Sequence, residues 1–411
     1  MNADDTASGS SSAVRHSTNP TAPVQDSPRA WLMAAIAFLA CFTIFGVVYS
    51  FGAFFKPMAT EFGASRAHTS IVFSLTAAIY NLLGLAGGHL SDRFGPRPVM
   101  AAGAVALGAG LCATATASRL WIGCVAYGLG VGVGVACWYV PALAVVSGWF
   151  VKRRTAALGV AVSGVGGGTL VVVPIAAGLI QRCGWREAYV IMGIAATIVL
   201  LGCALMVEAP PIHETAAAAA PIQLTAAMGT RDFVLLYISS VLSSVSIYIP
   251  FVYLPDFAHG HGASQVAAAA LVGVIGAASV GGRLGLGAIA GRTGTITLYR
   301  ASMLLLGLSY ALWIAAHAYV MLVVFALVMG AAYGGMIALS PAVIAEIFGV
   351  RGLGVILGAL YTSSSISALA GPPLAGFVID RTGSYLWVAA LAGGCGVIGY
   401  LTLIPLHLRP K

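Results

Sequence analysis

Apolar runs of about twenty residues recur from one end of this chain to the other, and no other feature limits its fold so sharply. At 1.5 Å of helical rise per residue, a run of that length covers a hydrocarbon core of about 30 Å. Inside hydrocarbon the backbone must satisfy its own polar groups, so such spans are helices unless they close into a barrel. Composition excludes a soluble fold. Of 411 residues, 59% are hydrophobic and 8% charged, whereas soluble domains carry about 25% charged residues.

Twelve spans can be drawn between residues 31 and 406, and the longest break between them is 208–231. The expected fold class is an all-α polytopic membrane protein with 12 transmembrane helices in two six-helix bundles. Its expected organisation is a disordered cytoplasmic tail over 1–28, a first bundle over 29–207, a cytoplasmic linker over 208–231 and a second bundle over 232–411. The halves echo one another. Gly88, Arg93 and Gly95 in the loop after the second span fall in register with Gly287, Arg292 and Gly294, and Pro174 to Gly184 repeats as Pro372 to Gly383. Internal repeats of this kind mark many transporter folds.

The charges speak to topology. Of 20 lysines and arginines, thirteen lie on the side of the termini, six on the opposite side and one, Arg283, within a span. This bias places both termini in the cytoplasm. The net charge of +8 is spread over the loops and forms no surface for nucleic acid. The seven cysteines form no CxxC pair, and His259 and His261 have no third ligand nearby in sequence, so neither metal, cofactor nor disulfide framework is expected. No nucleophile elbow, HExxH or phosphate loop is present, and enzymatic chemistry is not expected.

Chemistry concentrates in a few side chains. Arg283 lies roughly 9 Å from the middle of the eighth span, flanked by Gly281, Gly282 and Gly285. A charge at that depth costs on the order of 3 kcal/mol, so it should face a cavity and meet an anion. Its planar fork matches a carboxylate with two parallel hydrogen bonds. Asn81, Tyr333, Tyr49, Tyr361 and Ser364 supply polar groups in otherwise apolar spans and are candidate substrate contacts. Asp256, near the end of the seventh span, is the candidate proton-coupling residue, with a gate pair as the alternative. Asp92 and Arg93 are the candidate gate at the cytoplasmic end of the second span; the second copy has Gly291 in place of the acid.

Gly88-His89-Leu90-Ser91-Asp92-Arg93-Phe94-Gly95-Pro96-Arg97 resembles the loop signature of the major facilitator superfamily, and the resemblance covers everything after the tail. Two stretches narrow it. Trp149 to Gly159 is similar to the start of the fifth span in monocarboxylate transporters, and Gly371 to Gly376 with Asp380 and Gly383 is similar to their eleventh. The resemblance implies a major facilitator fold, a substrate arginine at Arg283 and a pocket aromatic at Tyr333. It departs at three places: Ser279 stands where animal members carry an aspartate, Tyr49 where they carry a lysine, and Ala40 to Gly46 where their first span has an acidic, glycine-rich opening.

The expected function is secondary active transport, a proton-coupled symport of a small monocarboxylate such as L-lactate or pyruvate by rocker-switch alternating access. The alternative is an organic-anion exchanger of the oxalate/formate type, whose second cation on the eleventh span is missing from Tyr361 to Ser365. One arginine neutralises one carboxylate, which favours a monoanion. The expected partners are that anion, a proton and the lipid bilayer. The expected setting is a bacterial inner membrane, with the carrier acting as a monomer.

Overall fold

The computed structural model describes residues 26–210, 228–348 and 353–406, and every regular element among them is helical. The first half holds α1 (Pro28–Glu61), α2 (Arg66–Phe94), α3 (Pro96–Ala115), α4 (Leu120–Trp149) and the continuous run Arg154–Met206. That run turns at Gly184, whose φ of 86° breaks the helical path, so its legs are α5 (154–183) and α6 (185–206). The second half holds α7 (Arg231–Gly260), α8 (Gln265–Thr293), α9 (Thr295–Ile314), α10 (Tyr319–Phe348), α11 (Leu353–Thr382) and α12 (Leu386–Leu403). Among the described residues, ten helices are long and apolar enough to cross a membrane, the Arg154–Met206 run counted once.

Turn residues show why the chain breaks where it does, and they repeat. Left-handed φ values occur at Gly63 and Gly262, Gly95 and Gly294, and Gly184 and Gly383. The differences 262 − 63, 294 − 95 and 383 − 184 are all 199. An L side chain rarely adopts such a φ, so glycine ends one helix and lets the next begin. Ser65 and Ser264, also 199 apart, cap α2 and α8 through the backbone N–H of His68 and Ala267 at 3.3 and 3.2 Å. Duplication thus persists most clearly in the punctuation between helices.

An arginine on the third helix of each half clasps the end of the sixth. Arg97 Nε donates to the Val207 carbonyl at 2.5 Å, and Arg300 donates to the carbonyls of Leu403, Ile404 and Leu406 at 2.6, 3.2 and 2.6 Å. The last carbonyls of a helix have no intrahelical donor, and a cation also complements the helix dipole there. Arg300→Ala should therefore destabilise the protein by about 1–3 kcal/mol, read as a lower thermal midpoint in detergent. An unchanged midpoint would show that water serves those carbonyls as well.

The N-terminal segment differs from its expectation in part. Residues 1–25 of the expected tail lie outside the described residues, but Asp26 is anchored rather than free. Its carboxylate accepts from the backbone N–H of Lys152 and of Arg153, both at 3.1 Å. The Lys152 N–H above all holds the carboxyl below its usual range. That contribution is present above the ordinary carboxylate range and is lost as pH falls through the depressed value. Most of the expected linker, 211–227, also lies outside the described residues.

Candidate functional site

An aromatic cluster forms at the centre of the bundle, where glycine-rich helices approach. Tyr49 of α1 stacks on Phe251 of α7 with centroids 4.1 Å apart, and its hydroxyl lies 3.4 Å from that of Tyr333 on α10. Phe45 joins Tyr49, Tyr80 of α2 and Tyr139 of α4 at centroid distances of 5.7, 6.1 and 5.1 Å. Asn81 donates to the Tyr248 hydroxyl at 3.0 Å, bringing α2 and α7 together. Rings supply apolar surface and hydroxyls in one side chain, which suits a cavity for a small organic solute.

Arg283 sits against this cluster. Its guanidinium carbon lies 5.7 Å from the Tyr333 ring centroid, and Nη1 donates to the Val162 carbonyl of α5 at 3.1 Å. Its Nε is buried with no hydrogen-bond partner. Among the described residues no acid pairs with it. A π face and one carbonyl compensate this half-buried cation only in part, so the arginine retains capacity for an anion.

The expected site residues divide accordingly. Arg283, Tyr333 and Tyr49 are joined by direct contacts, and Asn81 reaches the same cluster through Tyr248, whose ring lies 6.1 Å from that of Phe73. Tyr361 is 45% exposed and makes no hydrogen bond or ring contact with the cluster among the described residues. Ser364 belongs to another feature, a seam of hydroxyls between α7 and α11. It bonds Ser244 at 3.1 Å, beside Thr362 with Tyr237 at 3.0 Å and Ser363 with Ser240 at 2.8 Å. Buried hydroxyls in an apolar bundle pair with one another when no solute serves them.

Asp256 lies at the end of the bundle marked by Arg66, away from Arg283's contacts. It accepts from Arg66 Nε at 3.3 Å and from the Tyr385 hydroxyl, and its side chain is only 7% exposed. The carboxylate of Asp380 on α11 accepts from the backbone N–H of Arg66 and Ala67 at 3.3 and 3.2 Å, capping α2 from the opposite half. Close backbone approach completes the closure. A Cβ on Gly52 would come 2.6 Å from the Phe251 carbonyl oxygen, and one on Gly376 would come 2.6 Å from Ala67 N. Arg66, Asp380 and Tyr385 were not singled out as site residues from sequence. Their partners are more than 100 residues away, and only Asp380, within the eleventh-span motif, carried any signal.

The other end is looser. His89, Leu90, Asp92, Arg93 and Phe94 are all exposed. Arg93 lies over the ring of its neighbour Phe94 at 5.3 Å, and Asp92 has no ion pair among the described residues. The bundle is held shut at the Arg66 end, while among the described residues Asp92 and Arg93 make no ion pair with the opposite half.

The profile of the Major Facilitator Superfamily matches residues 36–313 and 286–411. The chain belongs to that superfamily, a class of membrane transporters rather than enzymes. Within it the chain is similar to monocarboxylate transporters. It is 29% identical to monocarboxylate transporter 13 of Rattus norvegicus over 396 residues, covering 95% of this chain and 91% of the relative. It is also 29% identical to monocarboxylate transporter 11 of Homo sapiens over 395 residues, covering 92% and 82%. Its fold matches the crystal structure of a bacterial homologue of the human lysosomal transporter Spinster, in an inward-facing and unoccupied conformation. That match has a TM-score of 0.70 at 15% identity, covering 92% of this chain and 95% of the other.

Proposed function

We propose that this protein is a secondary active transporter carrying a small monocarboxylate, such as L-lactate or pyruvate, together with a proton. The observation that carries the reading is Arg283: a partly compensated cation against a ring of aromatic side chains, with no acid paired to it among the described residues. A monoanion docked there cancels the charge and lets the cavity close; a dianion would leave one charge over. The similarity to monocarboxylate transporters supports the same class of solute.

Two six-helix bundles, 29–207 and 232–411, rock about the anion site in this reading. With both termini in the cytoplasm of a bacterial inner membrane, the Arg66 end is the outer end and the conformation faces inward. Asp92 and Arg93 then form the gate that engages when the inner end closes. The substrate contacts are Arg283, Tyr333, Tyr49, Asn81 and Tyr361, with Ser364 reached only if the α7–α11 seam opens. A single chain completes the path.

Proton coupling works through the outer closure. Protonating Asp256 removes the charge that faces Arg66 and loosens the hold of α7 on α2. Asp256→Asn should mimic the protonated state and make uptake nearly independent of an imposed pH gradient. Retained gradient dependence in that variant would move the proton site elsewhere. The exchange reading is favoured by one observation, that this carboxylate is held at the outer end rather than beside Arg283.

Competition tests the substrate class. Unlabelled monocarboxylates should inhibit uptake of labelled L-lactate far better than oxalate or malonate at equal concentration. Stronger inhibition by the dicarboxylates would overturn the one-charge argument.

A further inference from the structure

A cavity of about 340 Å³ lies at the Arg66 end, separate from the aromatic cluster. It is bounded by Lys56, Thr60 and Glu61 of α1, Asp256 and His259 of α7, and Gln265 of α8, with alanine and proline surfaces between them. Four of these side chains are ionisable, and the two acids are already engaged. Glu61 pairs with Arg186 at 2.7 Å and accepts from Trp185, while Asp256 pairs with Arg66. His259 uses Nδ1 on the Ala263 carbonyl at 3.0 Å. Lys56 has no ion pair among the described residues.

The charge left over is therefore one ammonium, beside a hydroxyl, an amide and a free ring nitrogen. We infer that this cavity is a waiting site for a small monocarboxylate, its carboxylate on the Lys56 ammonium and its apolar body on the alanine and proline wall. A water occupies about 30 Å³ of liquid, so the space holds a small organic acid with several waters. The site shares Asp256 with the closure between the halves, which puts a waiting anion directly outside the barrier it must pass. This inference rests on the reading of the chain as a monocarboxylate carrier with the Arg66 end outside.

The test uses the full chain in proteoliposomes. Lys56→Gln should raise KM for L-lactate uptake from the Arg66 side about five-fold, the loss of one partly exposed charge-assisted contact, at unchanged maximal rate. By detailed balance, the efflux rate constant at low internal L-lactate should fall by the same factor. Lys56→Arg should restore both. A KM unchanged by Lys56→Gln overturns the proposal.

A second measurement does not depend on transport. The rate at which an amine-reactive reagent modifies Lys56, followed by mass spectrometry in protein carrying Arg283→Ala, should fall as L-lactate is added. Labelling that ignores L-lactate, or protection that disappears with Arg283, overturns the waiting site. Protection that persists when the protein with Arg283 intact does not transport L-lactate upholds the site and overturns the transport reading instead.

Discussion

Arg283→Ala should abolish saturable uptake while leaving the protein folded in the membrane. Truncating one side of a buried, hydrogen-bonded charge contact typically loses about 2–5 kcal/mol, here a fall in kcat/KM of roughly thirty-fold to several thousand-fold. Folding should survive because, among the described residues, the guanidinium's one hydrogen bond goes to the Val162 carbonyl, which already belongs to α5. Removing a half-compensated charge from a membrane span relieves a penalty as well. Arg283→Lys should recover little, since an ammonium cannot present the planar fork to a carboxylate or stack on Tyr333 in the same way. Near-normal uptake by the alanine variant, at matched protein density, would remove the anion site from Arg283.

Gly376→Ala should block transport by a different route. A Cβ there would come 2.6 Å from Ala67 N and closer still to the Tyr253 hydroxyl, which bonds the Pro372 carbonyl at 2.7 Å. Neither neighbour is the free end of a flexible chain, so α11 and α2 cannot close at the Arg66 end without backbone movement. The clash with Ala67 lies between the halves and that with Tyr253 within the second half, so the variant should lose some stability in every conformation and remain open at that end. A cysteine placed at Ser70, buried beneath the closure in this conformation, should become reactive to a membrane-impermeant thiol reagent from the Arg66 side. Gly164→Ala offers a contrast, because its Cβ would strike the Phe38 carbonyl wholly within the first half and should only lower stability, in every conformation. Normal uptake by Gly376→Ala would mean that closure at this end tolerates a wider gap.

Much of the fold was legible because hydrocarbon is an unforgiving solvent. Span length and apolarity announce helices, and a left-handed turn demands glycine, so Gly95 with Gly294 and Gly184 with Gly383 could be paired from sequence. Gly63 with Gly262 was equally available at the same spacing and went unnoticed among 52 glycines. Arg283 stood out because charge is rare in a span, and the family resemblance singled out Tyr333 separately; that the two meet is visible only in the packing of α8 against α10.

What stayed hidden were pairings set by packing between distant helices. Arg66 reads from sequence as a loop charge, yet it bonds Asp256 and its backbone N–H meets Asp380, 314 residues away. Arg97 and Arg300 read as topology signals and turn out to clasp helix ends. Ser364 looked like a cavity hydroxyl, and only the register of α7 against α11 reveals that Ser244 already serves it. A sequence marks which groups need partners; which partner answers depends on how the helices are laid together.

The most direct test of the account is accumulation of labelled L-lactate in proteoliposomes under an inward pH gradient, repeated with the gradient abolished. The account predicts accumulation above equilibrium with the gradient, its loss without one, and neither in Arg283→Ala. Uptake that ignores the gradient and rises only when L-lactate or oxalate is loaded inside would contradict it, and would identify the protein as an anion exchanger.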